Sequence, residues 1–420
     1  MAEMLAAAER GVAVRLLVDD LSAIKVQRSL RALDTHPRIE VRLFNPITFW
    51  RRYYWSHRFA MGLTLKRSHR RMHNKLFLVD DAVGIAGGRN LSDDYFIIDS
   101  EYNFADLDML VAGGRVADQM RRCFSEYWQG RCVQTLSSLM DADPGFQWSR
   151  LRDELKQQLL GEELASSPYL PIHKDGTREL AKGLGEVVRA EGQLHWDHPD
   201  KACQPGYPSR EYIMAPTLGR LMAETRQQLK LVSAYFIPSE RDVIDIEALL
   251  RQGVAVTVLT NSLQDNDTPI VNGGYAPWRQ RFLELGASMH ELRHGQKPRK
   301  QRLHHHFGAL ASSLHGKAMV MDCKRIFIGS FNVDPRSIWW NNEMVLQVDH
   351  EALAQQLDRI IDLALAPACS FRVEQEEGGK LVWWATDKNN QELRITREPG
   401  SWLARCQKWL GGLPGVSRLL

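Results

Sequence analysis

The 420-residue sequence predicts an α/β protein made of two similar halves. The pattern H-x-K-x-x-x-x-D occurs at residues 73–80 and again 242 residues later at 315–322, and a small-residue turn and an asparagine (Asn90, Asn332) follow each copy. Three fixed residues meet by chance at on the order of 10⁻⁴ per position, so two copies in register with their flanks indicate a duplicated domain. A duplicated domain predicts a functional site where the two halves meet.

Strands and helices alternate in both halves, which is the second observation behind the fold class. Residues 12–18 and 38–44 are predicted strands on either side of a helix at 24–33, and the second half repeats this with a strand at 254–259 and a helix around 278–285. Alternation of this kind predicts mixed, largely parallel sheets covered by helices.

The composition excludes several classes of protein. An apolar content of 44% and a charged content of 25% are typical of a soluble globular protein. A net charge of +3 is too small to indicate a nucleic-acid partner. The sequence contains no run of eighteen apolar residues, so no membrane-spanning helix is predicted. The first ten residues indicate an amphipathic helix rather than a signal peptide. The scattered cysteines, without a CxxC pair, predict free thiols rather than disulfides or a zinc site.

The repeat also predicts the domain organisation. We expect a first half at 1–140, a partly structured linker at 141–210, a second half at 211–370, and C-terminal strands with an amphipathic tail at 371–420. The second half has a predicted helix (214–229) and strand (230–236) ahead of Gly253, whereas only ten residues precede the matching Gly11. We therefore expect the first half to lack its copies of that helix and strand. The expected cause is a chain shortened at its N-terminus, through a misplaced start codon rather than as a genuine short form.

The repeated pattern suits chemistry on a phosphodiester. A histidine and a lysine two residues apart on a strand project from the same face, so each copy offers an imidazole beside an ammonium. Lys75, Lys317, Asn90 and Asn332 would donate hydrogen bonds to the non-bridging phosphoryl oxygens. No cysteine or carboxylate ligand set accompanies the pattern, so we predict neither a metal nor another cofactor.

The two histidines can divide the work between them. An imidazole titrates near pH ~6.5, so one can be neutral and the other protonated at working pH. The neutral imidazole attacks phosphorus to form a phosphohistidine, and the protonated one delivers a proton to the leaving alcohol. A second alcohol, or water, then resolves the intermediate.

These residues resemble the paired motifs of the phospholipase D superfamily. The flanking segments 10–20, 87–95, 103–108, 332–337 and 341–343, with the tail at 383–399, are similar to bacterial cardiolipin synthases of the C-type branch. The resemblance implies two α/β/α sandwich halves related by a pseudo-twofold axis, with the active site at their interface.

The resemblance also implies roles for individual residues. His73 is the implied nucleophile and His315 the implied acid and base. Acidic residues of the opposite half would hydrogen-bond these histidines: Glu343 in one case, and Asp106 or Asp108 in the other. Asp108 precedes Met-Leu-Val as Glu343 precedes Met-Val-Leu, which favours Asp108 as its equivalent. Two more residues complete the candidate catalytic set, Asp80 and Asp322, although their position at hairpin turns favours a role in the fold.

The implied function is a bacterial phosphatidyltransferase that makes cardiolipin from phosphatidylglycerol and a second phospholipid. Hydrolysis at the same site, by a phospholipase D or a phosphodiesterase or nuclease, is the alternative reaction. An inactive membrane-binding scaffold is the alternative of another class. Phospholipids and a membrane surface are the expected partners, nucleic acid is disfavoured, and a monomer is expected. The expected location is the bacterial inner membrane, peripherally, or the cytoplasm.

Four other features have two readings each. Residues 51–55 and Trp339-Trp340 could form an apolar lip or pack in a core, and the tail at 401–420 could lie on a membrane or dock on the protein. The basic runs at 66–71 and 297–302 could surround the pocket mouth or simply be solvated. The triplet at 304–306 reads as a solvated loop rather than a metal site.

Overall fold

The computed structural model describes residues 1–51, 53–92, 95–96, 103–159, 187–293, 312–387, 389–413 and 416. The elements of the first half are α1 (Ala2–Glu9), β1 (Val14–Asp19), α2 (Asp20–Ala23), α3 (Gln27–Leu33), β2 (Ile39–Phe44), α4 (Tyr54–Leu63), α5 (Leu65–Ser68), β3 (Leu76–Val79), β4 (Val83–Gly87), β5 (Asn103–Ala105), β6 (Asp108–Ala112), α6 (Gly114–Trp128), β7 (Val133–Thr135), α7 (Leu136–Leu139) and α8 (Trp148–Leu159).

The second half begins with a strand and contains the longest sheet. Its elements are β8 (Glu191–Trp196), α9 (Ala215–Met222), β9 (Gln228–Val232), α10 (Glu240–Arg251), β10 (Ala255–Asn261), α11 (Val271–Glu284), β11 (Ser288–Leu292), β12 (Ser312–Leu314), β13 (Ala318–Met321), β14 (Arg325–Gly329), α12 (Pro335–Trp339), β15 (Met344–Asp349), α13 (Glu351–Leu365), β16 (Ser370–Gln375), β17 (Leu381–Thr386), β18 (Glu392–Ile395) and α14 (Trp402–Gly411). Two short 3₁₀ helices lie at Pro199–Cys203 and Arg210–Tyr212.

The predicted α/β class with mixed sheets is confirmed, but the sheets are not largely parallel. The ten-stranded sheet has the order β18-β17-β16-β11-β10-β9-β13-β14-β15-β8. Only β9, β10 and β11 run parallel within it, and every other neighbouring pair is antiparallel. The reason is connection length: short turns join β13 to β14 and β16 to β17 to β18, and such turns can link only antiparallel strands.

The first half contains two separate three-stranded sheets where the second half has a continuous one. Their orders are β1-β2-β7 and β3-β4-β6. In the second half β9 joins β10 to β13, whereas no described strand joins β1 to β3. Phe77 and Ile85 on the second of these small sheets are exposed. Their counterparts 242 residues later, Met319 and Phe327, pack in a core beneath α9.

The hairpins that follow the two motif copies have the same turn geometry. Asp80 and Asp81 have φ of 51° and 54°, and Asp322 and Cys323 have φ of 52° and 51°. Left-handed residues at both turn positions are typical of the type I′ turn that joins adjacent antiparallel strands. The duplication therefore extends from the sequence to the backbone conformation.

The described parts of the expected linker and tail pack against the two halves. Helix α8 packs on the core of α1 and α3 through Leu151, while β8 pairs with β15 at the edge of the large sheet. Strands β16–β18 continue that sheet at its other end. Cys132 and Cys203 are paired as a disulfide, with Cα atoms 6.0 Å apart, so the expectation of free thiols is wrong for these two. Their separation of 71 residues conceals a proximity that only folding creates.

The strand order brings the two motif histidines to one edge. Strand β13 is antiparallel to β9 with Ala318 opposite Val232, so its start lies at the carboxyl ends of β9 and β10. The amide of Met72 donates to the Asp19 carboxylate at the end of β1, 3.0 Å away, which brings the start of the first motif to the matching edge. The halves join through the parallel pair β5–β12 and one shared apolar core. No helix among the described residues is long and apolar enough to cross a membrane.

The Asp322 carboxylate predicts a stability difference between the two turns. It accepts from the backbone amides of residues 226, 227 and 228 at 2.9, 2.7 and 3.0 Å. We expect Asp322→Ala to destabilise the protein by about 1–3 kcal/mol, because these amides lose a charged acceptor. Asp80→Ala is the matched control, since Asp80 is exposed at the equivalent turn. Equal shifts of the urea unfolding midpoint in the two variants would contradict the prediction.

Candidate active site

Each motif histidine is anchored by the backbone of the opposite half. The amide of His73 donates to the carbonyl of Asn342 over 2.8 Å, and the amide of His315 donates to the carbonyl of Ala105, also over 2.8 Å. The centroids of the two imidazole rings are 6.2 Å apart. The pair therefore forms only when the two halves are together.

Each imidazole is also bonded to a carboxylate of the opposite half. Nδ1 of His73 lies 3.0 Å from Oε2 of Glu343, and Nδ1 of His315 lies 2.6 Å from Oδ2 of Asp106. Both carboxylates are buried. A carboxylate at Nδ1 holds the proton there and leaves Nε2 as the nitrogen that can react.

Asp106, and not Asp108, is the counterpart of Glu343. Gly87 pairs with Asp108 in the first half and Gly329 pairs with Val345 in the second, so the register makes Asp108 equivalent to Val345. The carboxylate of Asp108 instead bonds Arg89 at 2.6 Å. The expected equivalence of Asp108 and Glu343 is wrong, because similar apolar residues follow both acids and shift the alignment by two.

The two motif lysines are held close to the histidines. Nζ of Lys75 donates to the carbonyl of His73 over 2.6 Å, and Nζ of Lys317 donates to the carbonyl of His315. Burial is the main cause that lowers the pKa of Lys75 to about 7, and the neighbouring Lys317 lowers it further. The pKa of Lys317 is lowered by burial as well. Two lysines whose charges repel each other in a poorly solvated site favour an anion near them.

The same surroundings act on the histidines. Burial lowers the pKa of His73, and Glu343 offsets only part of that effect. Burial and the charges of Lys317 and Lys75 lower the pKa of His315 well below its ordinary value. Both imidazoles are therefore neutral near pH 7 when no anion is bound, which differs from the expected pairing of one neutral and one protonated ring. Burial is the largest cause of the difference and the lysines add to it, and a bound anion would counteract the lysines.

The two carboxylates are not equivalent electrostatically. Burial acts to raise the pKa of Glu343, but the imidazole of His73, Lys75 and the hydroxyl of Ser330 outweigh it and lower that pKa. The hydroxyls of Ser330 and Ser337 donate to Glu343 over 2.5 and 3.1 Å. Burial raises the pKa of Asp106 despite the charge of Lys317. Glu343 is thus the better fixed anion of the pair.

The surroundings of His315 are aromatic. The rings of Tyr95 and Phe104 lie 5.0 and 5.3 Å from its imidazole, centroid to centroid. The side-chain amide of Asn90 donates to the Tyr95 hydroxyl over 2.7 Å, so it already has a partner. Asn332 is buried, and its Nδ2 has no hydrogen-bond partner among the described residues. Of the two predicted amide donors, Asn332 is the one available to a ligand.

The two motif aspartates are not part of this group. Asp80 and Asp322 follow β3 and β13, at the ends of those strands opposite the histidines. Asp322 bonds the backbone of residues 226–228, and Asp80 is exposed at its turn. Their place in the candidate catalytic set is therefore corrected: Asp322 stabilises its hairpin turn, and Asp80 lies exposed at the equivalent turn.

Two positioning residues were missed in the sequence. Asp19 accepts from the amide of Met72, and Asn261 accepts from the amide of Leu314 at 2.9 Å and donates to its carbonyl at 2.8 Å. Asp19 and Asn261 are themselves 242 residues apart, and each holds the residue just before a motif histidine. The common offset would have found them.

The remaining sequence features fall in different places. Arg70 donates to the carbonyls of Gln204 and Gly206, and Arg71 pairs with Asp19, so neither is a solvated rim residue. Their guanidinium groups are used within the fold. The second basic run and the histidine triplet lie outside the described residues.

Trp339 and Trp340 cluster with Tyr207, whose ring lies 5.4 and 4.8 Å from theirs. Both tryptophans are partly buried, so they form neither a fully exposed apolar lip nor a fully packed core. Across the part of the chain that the structure describes, no group of three histidine, cysteine or acidic side chains could hold a metal.

The electrostatics predict how the histidines titrate. We expect both imidazoles to titrate below pH ~6.5 in the free protein, because both are buried beside lysines. Inorganic phosphate or vanadate should raise both pKa values, and Lys317→Met should raise that of His315. Histidine NMR over a pH series measures these values, with His73→Gln and His315→Gln to assign the signals. Unshifted values in the free protein, or no response to the anion, would contradict this account.

Comparison with known proteins agrees with this geometry. A family profile described as "Cardiolipin synthase, PLD-like domain" matches residues 1–128 and 218–363. Cardiolipin synthase C of Escherichia coli (strain K12) is 35% identical over 416 residues, which cover 95% of this chain and 82% of that protein. An uncharacterized protein of Helicobacter pylori (strain J99) is 30% identical over 368 residues, 84% of this chain and 69% of that protein.

A solved structure shares the fold. The phosphatidylserine synthase of Haemophilus influenzae Rd KW20 superimposes with a TM-score of 0.53 at 15% identity, over 84% of this chain and 73% of that one. The profile covers both motif copies and most of both halves. The chain therefore belongs to the phospholipase D-like family that the cardiolipin synthase profile describes.

Proposed function

We propose that the protein is a phosphatidyltransferase that makes cardiolipin from phosphatidylglycerol and a second phospholipid. One observation carries the proposal: two imidazoles from opposite halves, 6.2 Å apart, each bonded at Nδ1 to a buried carboxylate and accompanied by the lysine of its own motif. This group suits two successive displacements at a phosphodiester. The similarity to cardiolipin synthase C supports the substrate class.

In the proposed first step, Nε2 of His73 attacks phosphorus of the donor lipid. A P–N bond forms and the P–O bond to the headgroup alcohol breaks, while His315 gives its proton to the leaving oxygen. In the second step His315 takes the proton of the acceptor lipid's headgroup hydroxyl, whose oxygen displaces His73 from phosphorus. The two lysines and Asn332 stabilise the charge on the non-bridging oxygens in both steps.

The surroundings favour His73 over His315 as the nucleophile. A phosphohistidine carries positive charge on its ring when Nδ1 keeps its proton. Glu343, whose pKa is lowered and which accepts from Ser330 and Ser337, is well placed to balance that charge. His315 then needs its proton only after the anionic phosphodiester offsets the two lysines.

The enzyme is proposed to act on its phospholipid substrates as a monomer, peripherally at the bacterial inner membrane or from the cytoplasm. Each active site would then be complete within one chain, because both histidines come from the same polypeptide. Hydrolysis by water at the same site is the alternative reaction. Hydrolysis and transfer differ only in whether water or the headgroup hydroxyl of the acceptor lipid attacks the phosphohistidine.

One assay tests the reaction. Purified full-length protein is given labelled phosphatidylglycerol in mixed micelles, and we expect cardiolipin and free glycerol. Both His73→Ala and His315→Ala should lose on the order of 10²-fold or more in rate, because each removes a reacting group. Acid-labile lipid adduct on the peptide containing His73 should be detectable by mass spectrometry. Phosphatidic acid as the sole product would favour a hydrolase, and equal inactivity of parent and variants would sink the enzyme proposal.

The carboxylate assignment has its own test. Asp106→Asn should lower kcat by about 10²–10⁴-fold, since an amide cannot hold the imidazolium of His315 as a carboxylate does. Asp108→Asn is the matched control two residues away and should change kcat by far less, because Asp108 bonds Arg89 instead. The pH–rate profile of the Asp106→Asn variant should shift. A merely structural defect would lower the rate without shifting the profile. The opposite ranking of the two variants would restore Asp108 to the site.

A further inference from the structure

Two helices at the edge of the molecule that carries the active site have exposed, aromatic outer faces. On α4 and the segment before it, Trp55 is 78% and Phe59 61% exposed, and on α14 Trp402 is 74% and Trp409 67% exposed. Aliphatic side chains extend both faces: Leu63 on α4, and Leu403 and Leu410 on α14. Among the described residues these side chains stay largely exposed, and the rings of Trp55 and Phe59 contact only neighbouring aromatic rings of the same region, Tyr54 and Trp50.

Helix α4 is fixed to the fold by its inner side. His57, Ala60 and Met61 are buried, and Asp20 at the end of β1 bonds both Arg51 at 2.7 Å and His57 at 3.3 Å. The buried side is therefore specified by an ion pair and packing. The exposed stripe is a separate feature of the same helix.

Helix α14 is fixed in the same way. A Cβ atom on Gly411 would overlap the carbonyl oxygen of Ile270, so glycine permits the close approach of α14 to the start of α11. Lys408 pairs with Glu398, which also pairs with Arg279 of α11 at 2.9 Å. These contacts use the inner side of α14, and its outer stripe stays exposed among the described residues.

Both helices are connected to the active site by short routes. From α4, the carbonyl of Met61 accepts from the Ser68 hydroxyl, and the carbonyl of Ser68 accepts from the side chain of Arg71. Arg71 lies two residues before His73. From α14, Gly400 and Gly411 contact the loop that follows β10, at Leu263 and Ile270. Strand β10 ends at Asn261, which bonds Leu314 beside His315.

The charge of these segments is one-sided. No acidic residue occurs between Glu40 and Asp80, and none follows Glu398. Arg58 and Arg67 are exposed among or beside the aromatic residues of α4. Aromatic and aliphatic side chains with basic neighbours are typical of surfaces that enter the headgroup region of an anionic bilayer. Nucleic-acid platforms also combine aromatic faces with basic residues, but the aliphatic side chains that extend these two faces cannot stack on bases, which favours a lipid surface.

We propose that the outer faces of α4 and α14 together dock the protein on an anionic phospholipid surface and place the histidine pair over it. The inference rests on the proposed function, since it assumes lipid substrates. A site reached from the plane of the membrane would admit a lipid headgroup without extraction of its acyl chains into water. Two docking helices, one from each half, would hold the pseudo-twofold site level with the headgroups.

Vesicle binding tests this docking surface. The variants are Trp55→Ala/Phe59→Ala for α4 and Trp402→Ala/Trp409→Ala for α14. Phe77→Ala/Val79→Ala is the control, because these exposed apolar residues lie on β3, the strand that leads away from the site. Cosedimentation with phosphatidylglycerol/phosphatidylcholine vesicles should fall about tenfold or more for each docking pair and about twofold or less for the control.

A second measurement does not depend on the folding of a variant. Cys406 is exposed on α14, so it can carry a polarity-sensitive fluorophore in the otherwise unchanged protein. We expect its emission to shift to the blue with anionic vesicles and not with phosphatidylcholine alone. No shift, together with docking variants that bind vesicles like the parent, would overturn the proposal. Loss of oligonucleotide binding with unchanged vesicle binding would replace it with a nucleic-acid surface.

A monomeric substrate separates this inference from the proposed function. Docking variants should transfer dihexanoyl phosphatidylglycerol below its critical micelle concentration at the parental rate and fail only on vesicles. Inactivity of the parent on both substrates would refute the transferase, while the vesicle-binding result would still decide the docking surface. Equal loss on both substrates would place the defect in catalysis and count against docking.

Discussion

The structure depends on reciprocal hydrogen bonds between the two halves: the motif histidine of each half is bonded to a carboxylate of the opposite half. His73 bonds Glu343 of the second half, and His315 bonds Asp106 of the first. The backbone repeats this arrangement through the carbonyls of Asn342 and Ala105. Burying two imidazoles is favourable only with such partners, because an unpaired buried polar group costs free energy. The shared core and the active site are therefore formed together.

The duplicated halves supply the same parts, but their surroundings differ. Two serine hydroxyls hold Glu343 as an anion, whereas burial raises the pKa of Asp106. Among the described residues, the rings of Tyr95 and Phe104 lie against His315, whereas His73 has a ring contact only with His315 itself. A two-step transfer needs such unequal groups, since one imidazole must attack phosphorus while the other handles the proton. The asymmetry arises outside the motifs, where the copies have diverged.

Access to this buried pair is a second constraint. The strand order places both histidines at the carboxyl ends of parallel strands, and the loops and helices beyond those ends form the surroundings of the site. In each half one helix at this edge combines a tightly held inner side with an exposed aromatic face. Buried charge fixes α4 through Asp20, and close backbone packing fixes α14 at Gly411. Helices that are held by their inner sides and expose aromatic outer faces suit contact with a broad surface such as a membrane.

The sequence by itself determined the duplication, the α/β class, and the residues of both motifs, because these depend on local patterns and one repeated spacing. It could not decide between Asp106 and Asp108. Only the strand register shows that Asp108 lies opposite Gly87 and that Asp106 is therefore the counterpart of Glu343. Nor could it assign β8 to the large sheet or pair Cys132 with Cys203. These contacts join positions far apart in the chain, and local propensity contains no information about them. Tertiary structure alone decided which groups meet.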